Sequence, residues 1–284
     1  TLTSATDSKE YDGTALTNPT VTESGDGFVN GEGATYNVTG SQTNVGSCSN
    51  AFTYTLNEGT SANDYTILIV EGTLTVTIND DALTLTCPSG TDTTKMYNGT
   101  PLAPVATVSS TIPGDTSDDF TIEYSTDGGT TWSTTVPSIT HVGTQAVKVR
   151  ATNPNYVTVD CEYTLTVTKR TVTLTSATDS KEYDGTALTN TTVTVGGEGF
   201  VTGEGATYDV TGTITNVGTS SNTFTYALNE GTSANDYTIT PVAGVLTVTA
   251  KAVTITAASD SKVYDGTALT KNSYTHTALA DGDS

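Results

Sequence analysis

A lysine recurs along this chain two residues before a tyrosine, at Lys9, Lys95, Lys181 and Lys262, and these four are among only ten basic residues. Residues two apart on a strand share a face, so each lysine is expected beside its tyrosine. A lysine that meets an asparagine or an aspartate in a dry site with a catalytic carboxylate can form an isopeptide cross-link. The candidate partners are asparagines that precede a later tyrosine: Asn63, Asn155 and Asn235. The alternative is a lysine stem that covers the tyrosine ring, with its ammonium near an acid.

The three cysteines offer one candidate disulfide. Cys87 lies in the first predicted strand of the middle of the chain and Cys161 beside the last strand of the same region. Terminal strands of a sandwich are often neighbours, so we predict a Cys87–Cys161 bond, which would contribute about 2–4 kcal/mol. Cys48 has no partner nearby and is expected to be a small buried or half-buried residue, with an intermolecular disulfide as the alternative.

Other candidate sites are weaker. The segment Ser125 to Trp132 fits the Ser-x-Asp-x-Gly-x-Thr-Trp box of sialidase propellers, where the box is a structural hairpin. It occurs once here, and no arginine cluster accompanies it, so we interpret it as a hairpin with one packed tryptophan and not as a glycosidase site. His141 replaces an asparagine before Val-Gly and is expected in a turn, and neither it nor His276 has the neighbours of a zinc site or triad.

Four acidic loops are candidates for calcium, since that ion prefers several oxygen ligands. They lie at 26–32, 115–119, 198–204 and 281–283, and none matches an EF-hand loop. The alternative is that the acids are solvated and keep the chain soluble and extended by repulsion. We expect no other cofactor.

Charge and hydropathy exclude several classes of function. The 284 residues carry a formal charge of −21, from 31 acidic and 10 basic side chains. Nucleic acid and anionic membrane surfaces both require Lys and Arg, so neither is an expected partner. No stretch approaches the roughly 20 apolar residues of a transmembrane helix, so no membrane insertion is expected. Apolar and polar residues alternate, as in Leu74-Thr75-Val76-Thr77-Ile78. This period of two indicates strands and not disordered coil.

The sequence repeats itself. The string from Thr1 to Asn18 recurs unchanged at a constant offset of 172, and a diverged copy lies halfway between. We predict four domains: repeat 1 at 1–79, a diverged repeat 2 at 80–168, repeat 3 at 169–250 and the start of an incomplete repeat 4 at 251–284. We expect the chain to be a window onto a longer tandem array. The alternative is that another chain supplies the missing strands of repeat 4.

The strand pattern predicts the fold class. Repeat 3 should contain about seven short strands, near 171–176, 187–189, 192–195, 206–211, 222–228, 237–241 and 244–249, with at most a helical turn near 231–235. Such spacing is typical of a sandwich. We predict an all-β chain of tandem immunoglobulin-like β-sandwich repeats in an extended rod. The alternative is a row of small β-grasp-like units.

The recurring segments carry a resemblance. Repeat 3 contains Lys-x-Tyr-Asp-Gly-Thr at Lys181, then Gly-Phe-Val-x-Gly-Glu, Asn-Val-Gly-Thr, Asn-Asp-Tyr-Thr and Leu-Thr-Val-Thr. This order resembles the YDG/MBG group of bacterial immunoglobulin-like repeats, and it covers the whole chain in serial copies. Repeat 2 departs from it with Tyr97-Asn98-Gly99 in place of Tyr-Asp-Gly. The resemblance implies scaffold repeats in the stalk of a secreted or cell-wall-attached protein, and it carries over no binding residue.

We therefore expect a structural stalk or fibre at the bacterial cell surface or outside the cell, without enzymatic activity. Its partners would be neighbouring repeats of the same or an identical chain. The alternative is an adhesin module that recognises a host glycoprotein, glycan or immunoglobulin. Repeat 2 is the expected place for such a site, because it has diverged and carries Trp132 in a longer 115–140 region. A binder would show a pocket or an exposed apolar patch in repeat 2 only.

Overall fold

The computed structural model describes residues 1–284, which fold into two compact units. The first comprises Thr1–Lys95, Pro101–Ile139 and Gly143–Thr166, and the second comprises Met96–Thr100, Thr140–Val142 and Val167–Ser284. The chain has 24 strands, and its only helical elements are four 3-10 turns of three residues each. The fold is therefore all-β, in keeping with the immunoglobulin-like class. A β-grasp packs its sheet on a helix, and the chain has no α-helix.

Repeat 1 forms eight strands in the first unit. They are β1 (Leu2–Ser4), β2 (Asp7–Glu10), β3 (Val21–Glu23), β4 (Ala34–Val38), β5 (Gly46–Asn50), β6 (Phe52–Leu56), β7 (Ile69–Val70) and β8 (Gly72–Thr77), with a 3-10 turn η1 at Ala62–Asp64. They pair as β3-β1-β7, β2-β8-β5 and β4-β6. The chain passes from one three-stranded sheet to the other between β1 and β2 and again between β7 and β8. Both resulting pairs, β1–β7 and β2–β8, are parallel.

Repeat 2 forms six strands, two of them long. They are β9 (Leu83–Thr86), β10 (Thr94–Met96), β11 (Thr107–Ser110), β12 (Thr121–Ser125), β13 (Gly143–Thr152) and β14 (Val159–Thr168), with 3-10 turns η2 at Gly90–Asp92 and η3 at Ser117–Asp119. The sheets have the orders β10-β14-β13-β12 and β11-β9. Alternate residues of β13 and β14 are buried, including Val147, Val149 and Leu165. This burial follows the period of two in the sequence.

Repeat 3 copies the strand order of repeat 1 in the second unit. Its strands are β15 (Arg170–Ser176), β16 (Asp179–Glu182), β17 (Val193–Gly197), β18 (Ala206–Val210), β19 (Gly218–Asn222), β20 (Phe224–Leu228), β21 (Tyr237–Val242) and β22 (Gly244–Thr249), with a 3-10 turn η4 at Ala234–Asp236. They pair as β17-β15-β21, β16-β22-β19 and β18-β20. Repeat 4 has one antiparallel pair, β23 (Ile255–Ala257) and β24 (Tyr274–His276). Every sheet therefore takes its strands from a single predicted repeat.

One apolar core crosses a boundary between predicted repeats, whereas no sheet does. One cluster of buried residues in the first unit contains Leu74 and Val76 of repeat 1 together with Ala151 and Tyr156 of repeat 2. Burial of each such large side chain contributes roughly 1.5–3 kcal/mol. Repeats 1 and 2 thus pair their strands separately but share part of one apolar core.

In repeat 1 and again in repeat 3, a buried asparagine links the two three-stranded sheets of that repeat by hydrogen bonds. In repeat 3, Asn222 is fully buried at the end of β19, and its Nδ2 donates to the carbonyls of Ala177 and Asn190 at 2.9 Å each. The Ser176 hydroxyl donates to the Asn222 carbonyl at 2.6 Å. Asn50 makes the equivalent bonds in repeat 1. These bonds satisfy carbonyls where the chain changes sheets, as buried polar groups require.

Candidate functional site: the joint between successive repeats

The lysine that precedes each Tyr-Asp-Gly turn holds that turn together. In repeat 1, Asp12 Oδ1 accepts from Lys9 Nζ at 2.6 Å, and from the backbone and hydroxyl of Thr14 at 2.9 and 2.7 Å. These donors, the lysine first, hold the pKa of Asp12 well below its usual range. Gly13 has a φ of +79°, in the left-handed region open to glycine. The same bonds recur around Lys181 in repeat 3.

This turn brings a tyrosine of repeat 1 against a tyrosine of repeat 2. The rings of Tyr11 and Tyr156 meet edge to face with centroids 5.4 Å apart, a favoured geometry for aromatic pairs. The Tyr156 hydroxyl donates to the carboxylate of Asp115, in an acidic loop of repeat 2. A Cβ on Gly13 would lie 2.9 Å from Ile112 Cγ2. Glycine is therefore required here by close approach as well as by its φ.

A second turn of repeat 1 completes the contact. The backbone N–H of Val45 donates to Asn155 Oδ1 at 2.9 Å, and Asn155 Nδ2 donates to Asn44 Oδ1 at 3.2 Å. Burial raises the pKa of the Tyr11 hydroxyl, and the nearby Asn155 side chain partly offsets this effect. One asparagine of repeat 2 thus contacts both turns of repeat 1.

We name the two sides of this contact. The turn face of a repeat is its Tyr-Asp/Asn-Gly turn with its later x-Val-Gly turn, residues 11–13 and 44–46 in repeat 1. The acid face of the next repeat is its acidic loop with its Asn/Asp-Tyr pair, residues 112–115 and 155–156 in repeat 2. The two faces together form a tyrosine joint.

The second compact unit contains a second tyrosine joint with different side chains. Tyr97, on the turn face of repeat 2, meets Tyr237 of repeat 3 edge to face at 5.5 Å. Both hydroxyls donate to Glu204, Tyr97 to Oε1 at 2.5 Å and Tyr237 to Oε2 at 2.7 Å. A Cβ on Gly99 would lie 2.9 Å from Val201 Cγ1, so the close approach at the glycine is repeated as well.

In this second joint, His141 takes the place that Asn44 has in the first joint. His141 Nδ1 lies 2.8 Å from Asp236 Oδ2, and the backbone N–H of Val142 donates to Asp236 Oδ1 at 2.8 Å. The imidazole also stacks on Tyr97 with ring centroids 6.0 Å apart. Asp236 is fully buried. His141 is in a turn, as expected, and the structure adds its contact with a buried carboxylate.

Burial and the loop acids keep the joint tyrosines protonated. Burial first, and then the hydrogen bond to the loop acid, raises the pKa of Tyr237 to about 12 and that of Tyr156 to about 12. For Tyr97 the hydrogen bond to Glu204 is the largest cause, and it raises the pKa above the ordinary value. A neutral hydroxyl that donates to an ionised carboxylate is a strong, charge-assisted pairing.

The loop acid occupies the same place in all four repeats. Its backbone N–H bonds the carbonyl three residues earlier, and the four acids are Glu32, Asp115, Glu204 and Asp283. Each lies in one of the acidic loops predicted for calcium or for solvation. In the two joints the acid instead accepts hydrogen bonds from tyrosines. No group of three or more His, Cys, Asp or Glu side chains is arranged so that it could hold a metal ion.

The three cysteines comprise one disulfide pair and one free thiol. Cys87 and Cys161 form a disulfide with an S–S distance of 2.09 Å and a sequence separation of 74 residues. Both pack against the apolar cluster of repeat 2 that includes Val147 and Leu165. Cys48 is a free, half-buried thiol.

The structure gives the proposed isopeptide lysines other partners. Lys9 and Lys181 bond the aspartate of their own turn, while Asn63 and Asn235 are exposed on 3-10 turns. Burial lowers the pKa of Lys95. Its candidate partner Asn155 contacts repeat 1 across the joint. The cross-link stays a prediction, and intact mass decides it, because each bond would release ammonia.

The Asp-box segment forms a self-contained hairpin. Asp127 accepts from the backbone N–H groups of Thr130 and Thr131 at 3.0 Å, and the indole N–H of Trp132 donates to the Gly129 carbonyl at 3.0 Å. The guanidinium of Arg150 lies over the Trp132 ring, 4.4 Å from its centroid. The tryptophan is thus held by its own turn and by a cation–π contact.

Sequence reasoning did not identify the acid face. Glu204 and Asp115 lie in loops for which the sequence predicts calcium binding or solvation, and Tyr156 and Tyr237 mark only the positions of the asparagines before them. The available signal was recurrence, since a Val/Ile/Ala-x-Gly-Glu/Asp turn occurs at 29–32, 112–115, 201–204 and 280–283.

Comparison with known proteins gives distant likenesses only. No protein-family model matches the sequence, and no curated protein matches it either. A structure of fibronectin(III)-like modules of Clostridium thermocellum CbhA is 15% identical at a TM-score of 0.22, covering 59% of this chain and 94% of that one. The protocadherin GammaB4 extracellular domain is 9% identical at a TM-score of 0.24, covering 70% of this chain and 38% of that one.

The chain also lacks any helix of the length and apolar character that crossing a membrane requires.

Proposed function

We propose that this chain is a structural repeat region, a stalk or fibre, of a bacterial extracellular or cell-surface protein of the YDG/MBG type. The observation that supports this most is the recurrence of the tyrosine joint, with ring centroids 5.4 Å apart in one case and 5.5 Å in the other. Its role is to hold each repeat against the next, so that length is built from small modules.

The chemistry of the joint suits that role. Each joint combines an aromatic pair with hydrogen bonds to a half-buried carboxylate, and such charge-assisted bonds are stronger than neutral ones. The polar partners differ between the joints, Asp115 with Asn155 in one and Glu204 with Asp236 in the other. The two joints keep the same ring contact although their polar partners differ. This supports a role in holding repeats together.

Two further features support the location. The disulfide Cys87–Cys161 suits an oxidising compartment outside the cytosol. The formal charge of −21 gives repulsion between neighbouring molecules, which favours separated, soluble stalks.

The experiment measures whether the second joint fixes the distance between the turn face of repeat 2 and repeat 3. Spin labels are placed at the exposed positions Met96 and Asp209 (M96C and D209C), both in the second compact unit, in a Cys48→Ser background, and their distance distribution is recorded. We expect a narrow distribution that broadens with Glu204→Ala and stays narrow with the exposed control Glu230→Ala. A broad distribution in the unaltered joint, or no change with Glu204→Ala, would contradict a mechanical role.

A second proposal is an adhesin module for a host glycoprotein, glycan or immunoglobulin. One feature of repeat 2 supports it, although repeat 1 also has an open depression, so the expected restriction of such a site to repeat 2 is not met. An open depression of about 630 Å³ lies beside Cys87, and residues 101–105 line part of it. Val105 on its wall is 61% exposed. Screening of the whole chain against host glycans and glycoproteins, with Val105→Asp as the variant, tests it. Binding that Val105→Asp leaves unchanged would refute this location.

A further inference from the structure

The two joints share one hydrogen bond. In each of them the valine N–H of the turn face donates to a side-chain oxygen of the residue before the joint tyrosine. In the first joint Val45 donates to Asn155 Oδ1 at 2.9 Å. In the second, Val142 donates to Asp236 Oδ1 at 2.8 Å. Every residue except proline has a backbone N–H, so this bond holds a joint closed but does not distinguish one repeat from another.

The hydrogen bond beside it has opposite polarity in the two joints. Asn155 Nδ2 donates to Asn44 Oδ1 at 3.2 Å, so in the first joint the acid face supplies the donor of a neutral pair. A carboxylate such as that of Asp236 has no hydrogen to donate and only accepts. Its Oδ2 lies 2.8 Å from His141 Nδ1, so in the second joint the donor comes from the turn face.

Burial of the carboxylate makes this difference costly. Asp236 is fully buried, whereas the side chain of His141 is 72% exposed. Removal of the partner of a buried charge is far more destabilising than the loss of a neutral hydrogen bond. Glu204, the other acid of this joint, accepts from the two tyrosine hydroxyls, and the guanidinium of Arg170 donates to backbone carbonyls of repeat 3. His141 is therefore the side chain whose positive charge reaches Asp236 by direct contact.

We propose that this residue pair selects which repeat joins which. A turn face with histidine fits an acid face whose tyrosine follows a buried aspartate, and a turn face with asparagine fits an acid face whose tyrosine follows asparagine. This rests on the proposed structural function and deepens it, because it names the partner that each face fits.

The wrong combinations are specific. The turn face of repeat 1 against the acid face of repeat 3 would place Asn44 opposite Asp236. The amide of Asn44 can offer an N–H there but no positive charge. The turn face of repeat 2 against the acid face of repeat 2 in a second copy would place His141 opposite Asn155 and lose the ion pair. Both mismatches disfavour a joint between the wrong repeats.

Near-identical repeats make such selection necessary. The string from Thr1 to Asn18 recurs unchanged in repeat 3, so repeats 1 and 3 are close copies. Pairing out of order, within a chain or between copies, is a characteristic failure of repeat proteins. The diverged repeat 2 lies between these copies and carries one member of each pair, His141 on its turn face and Asn155 on its acid face. A mismatch of charge disfavours the wrong order without weakening the correct one.

Amide hydrogen exchange of the full chain, followed by NMR, tests the proposal at each joint. The protection factors of the Val142 and Val45 amides report how often each joint opens. The measurement is made at about pH 5.5, where an imidazole of ordinary pKa is charged. His141→Asn recreates one wrong combination and Asp236→Asn the other, while the double variant recreates the asparagine pair of the first joint.

We expect each single variant to lower the protection factor of the Val142 amide about tenfold, and the double variant to regain most of that loss. The Val45 amide is the internal control, because these variants leave the first joint unaltered, and its protection should not change. Losses that add in the double variant overturn the proposal. So does a Val142 amide whose protection both single variants leave unchanged.

The first joint provides the converse test. Asn155→Asp places a carboxylate opposite Asn44, which is the same wrong combination as His141→Asn, and it should lower the protection of the Val45 amide about tenfold. Adding Asn44→His should restore that protection. If it does not, the proposal is wrong, even where His141→Asn fails to fold. A narrow spin-label distribution together with additive losses would keep the structural function and refute the selection, so the two fail separately.

Discussion

Tyr97 and Tyr237 lie edge to face with their ring centroids 5.5 Å apart, and both donate to the carboxylate of Glu204. In the other joint the acid is Asp115, one methylene shorter, which accepts from Tyr156, while the Asn155 side chain lies near the Tyr11 hydroxyl. The ring contact is thus the constant feature of the joint, and the polar partners adapt to it.

The raised pKa of the joint tyrosines predicts loss of stability in alkali. An unfolded tyrosine titrates at about 10, whereas Tyr156 and Tyr237 titrate at about 12 when folded. Between these values the unfolded chain loses the proton first, which favours unfolding. The stabilisation is complete below about pH 10 and is lost as the pH rises through about 12.

Denaturant unfolding from neutral pH to about pH 12 measures this effect. The double variant Tyr156→Phe, Tyr237→Phe should show a shallower fall, but not a flat profile, because Tyr36 and Tyr163 also have a pKa of about 12. An identical fall in the variant would contradict the assignment to the joints.

Replacement of the shared acid should lower the pKa of both tyrosines at once. In Glu204→Gln the neutral amide can accept from only one tyrosine and no longer carries the charge that raises their pKa values. We expect the pKa of both Tyr97 and Tyr237 to fall toward 10, and a destabilisation of about 1–3 kcal/mol. Ultraviolet titration of the tyrosines and denaturant unfolding measure the two effects. Glu230→Gln, at an exposed position, is the control and should change neither.

Alternation in the sequence was sufficient to predict most strands of repeat 3. The strands β15, β18, β21 and β22 lie within a residue or two of their predicted places, and η4 lies at the predicted helical turn. The strands β16 (Asp-Ser-Lys-Glu) and β19 (Gly-Thr-Ser-Ser-Asn) were missed because they have no apolar alternation. Tertiary pairing with β22 fixes both of them. The predicted strand at 187–189 is reduced to a single bridge between Leu188 and Ile214.

The joint could be predicted only in part. Recurrence identified the register of the lysine and tyrosine in each turn and correctly favoured a turn role for Asp-Gly. It could not identify the partner of that tyrosine, since Glu204 is 107 residues from Tyr97. The isopeptide hypothesis sought a partner within each repeat, whereas Asn155 contacts the preceding repeat. A contact between two repeats has no characteristic residue spacing in a single sequence. The sequence alone therefore could not reveal it.

Reduction should weaken repeat 2 directly. The Cys87–Cys161 bond closes a long loop, so its loss should cost about 2–4 kcal/mol. Unfolding of the Cys87→Ser, Cys161→Ser double variant, monitored by Trp132 fluorescence, reports on repeat 2, which holds the only tryptophan. Cys48→Ser is the matched control and should leave that transition in place. Labelling that finds three free thiols in the native, unreduced chain would contradict the bond.

The fully buried Asn222 should be among the most sensitive positions of repeat 3. Asn222→Ala leaves the carbonyls of Ala177 and Asn190 without a donor in a dry site, and a buried unsatisfied group costs about 1–3 kcal/mol each. The Asn222 Oδ1 atom has no partner, so Asn222→Asp, which adds a charge at that place and removes the donors, should be worse. Thermal unfolding measures both variants against Asn216→Ala, at an exposed turn position. If Asn222→Ala were as stable as Asn216→Ala, the two carbonyls would not depend on Nδ2, and the fastening of the two sheets would have to come from Ser176 and the apolar core.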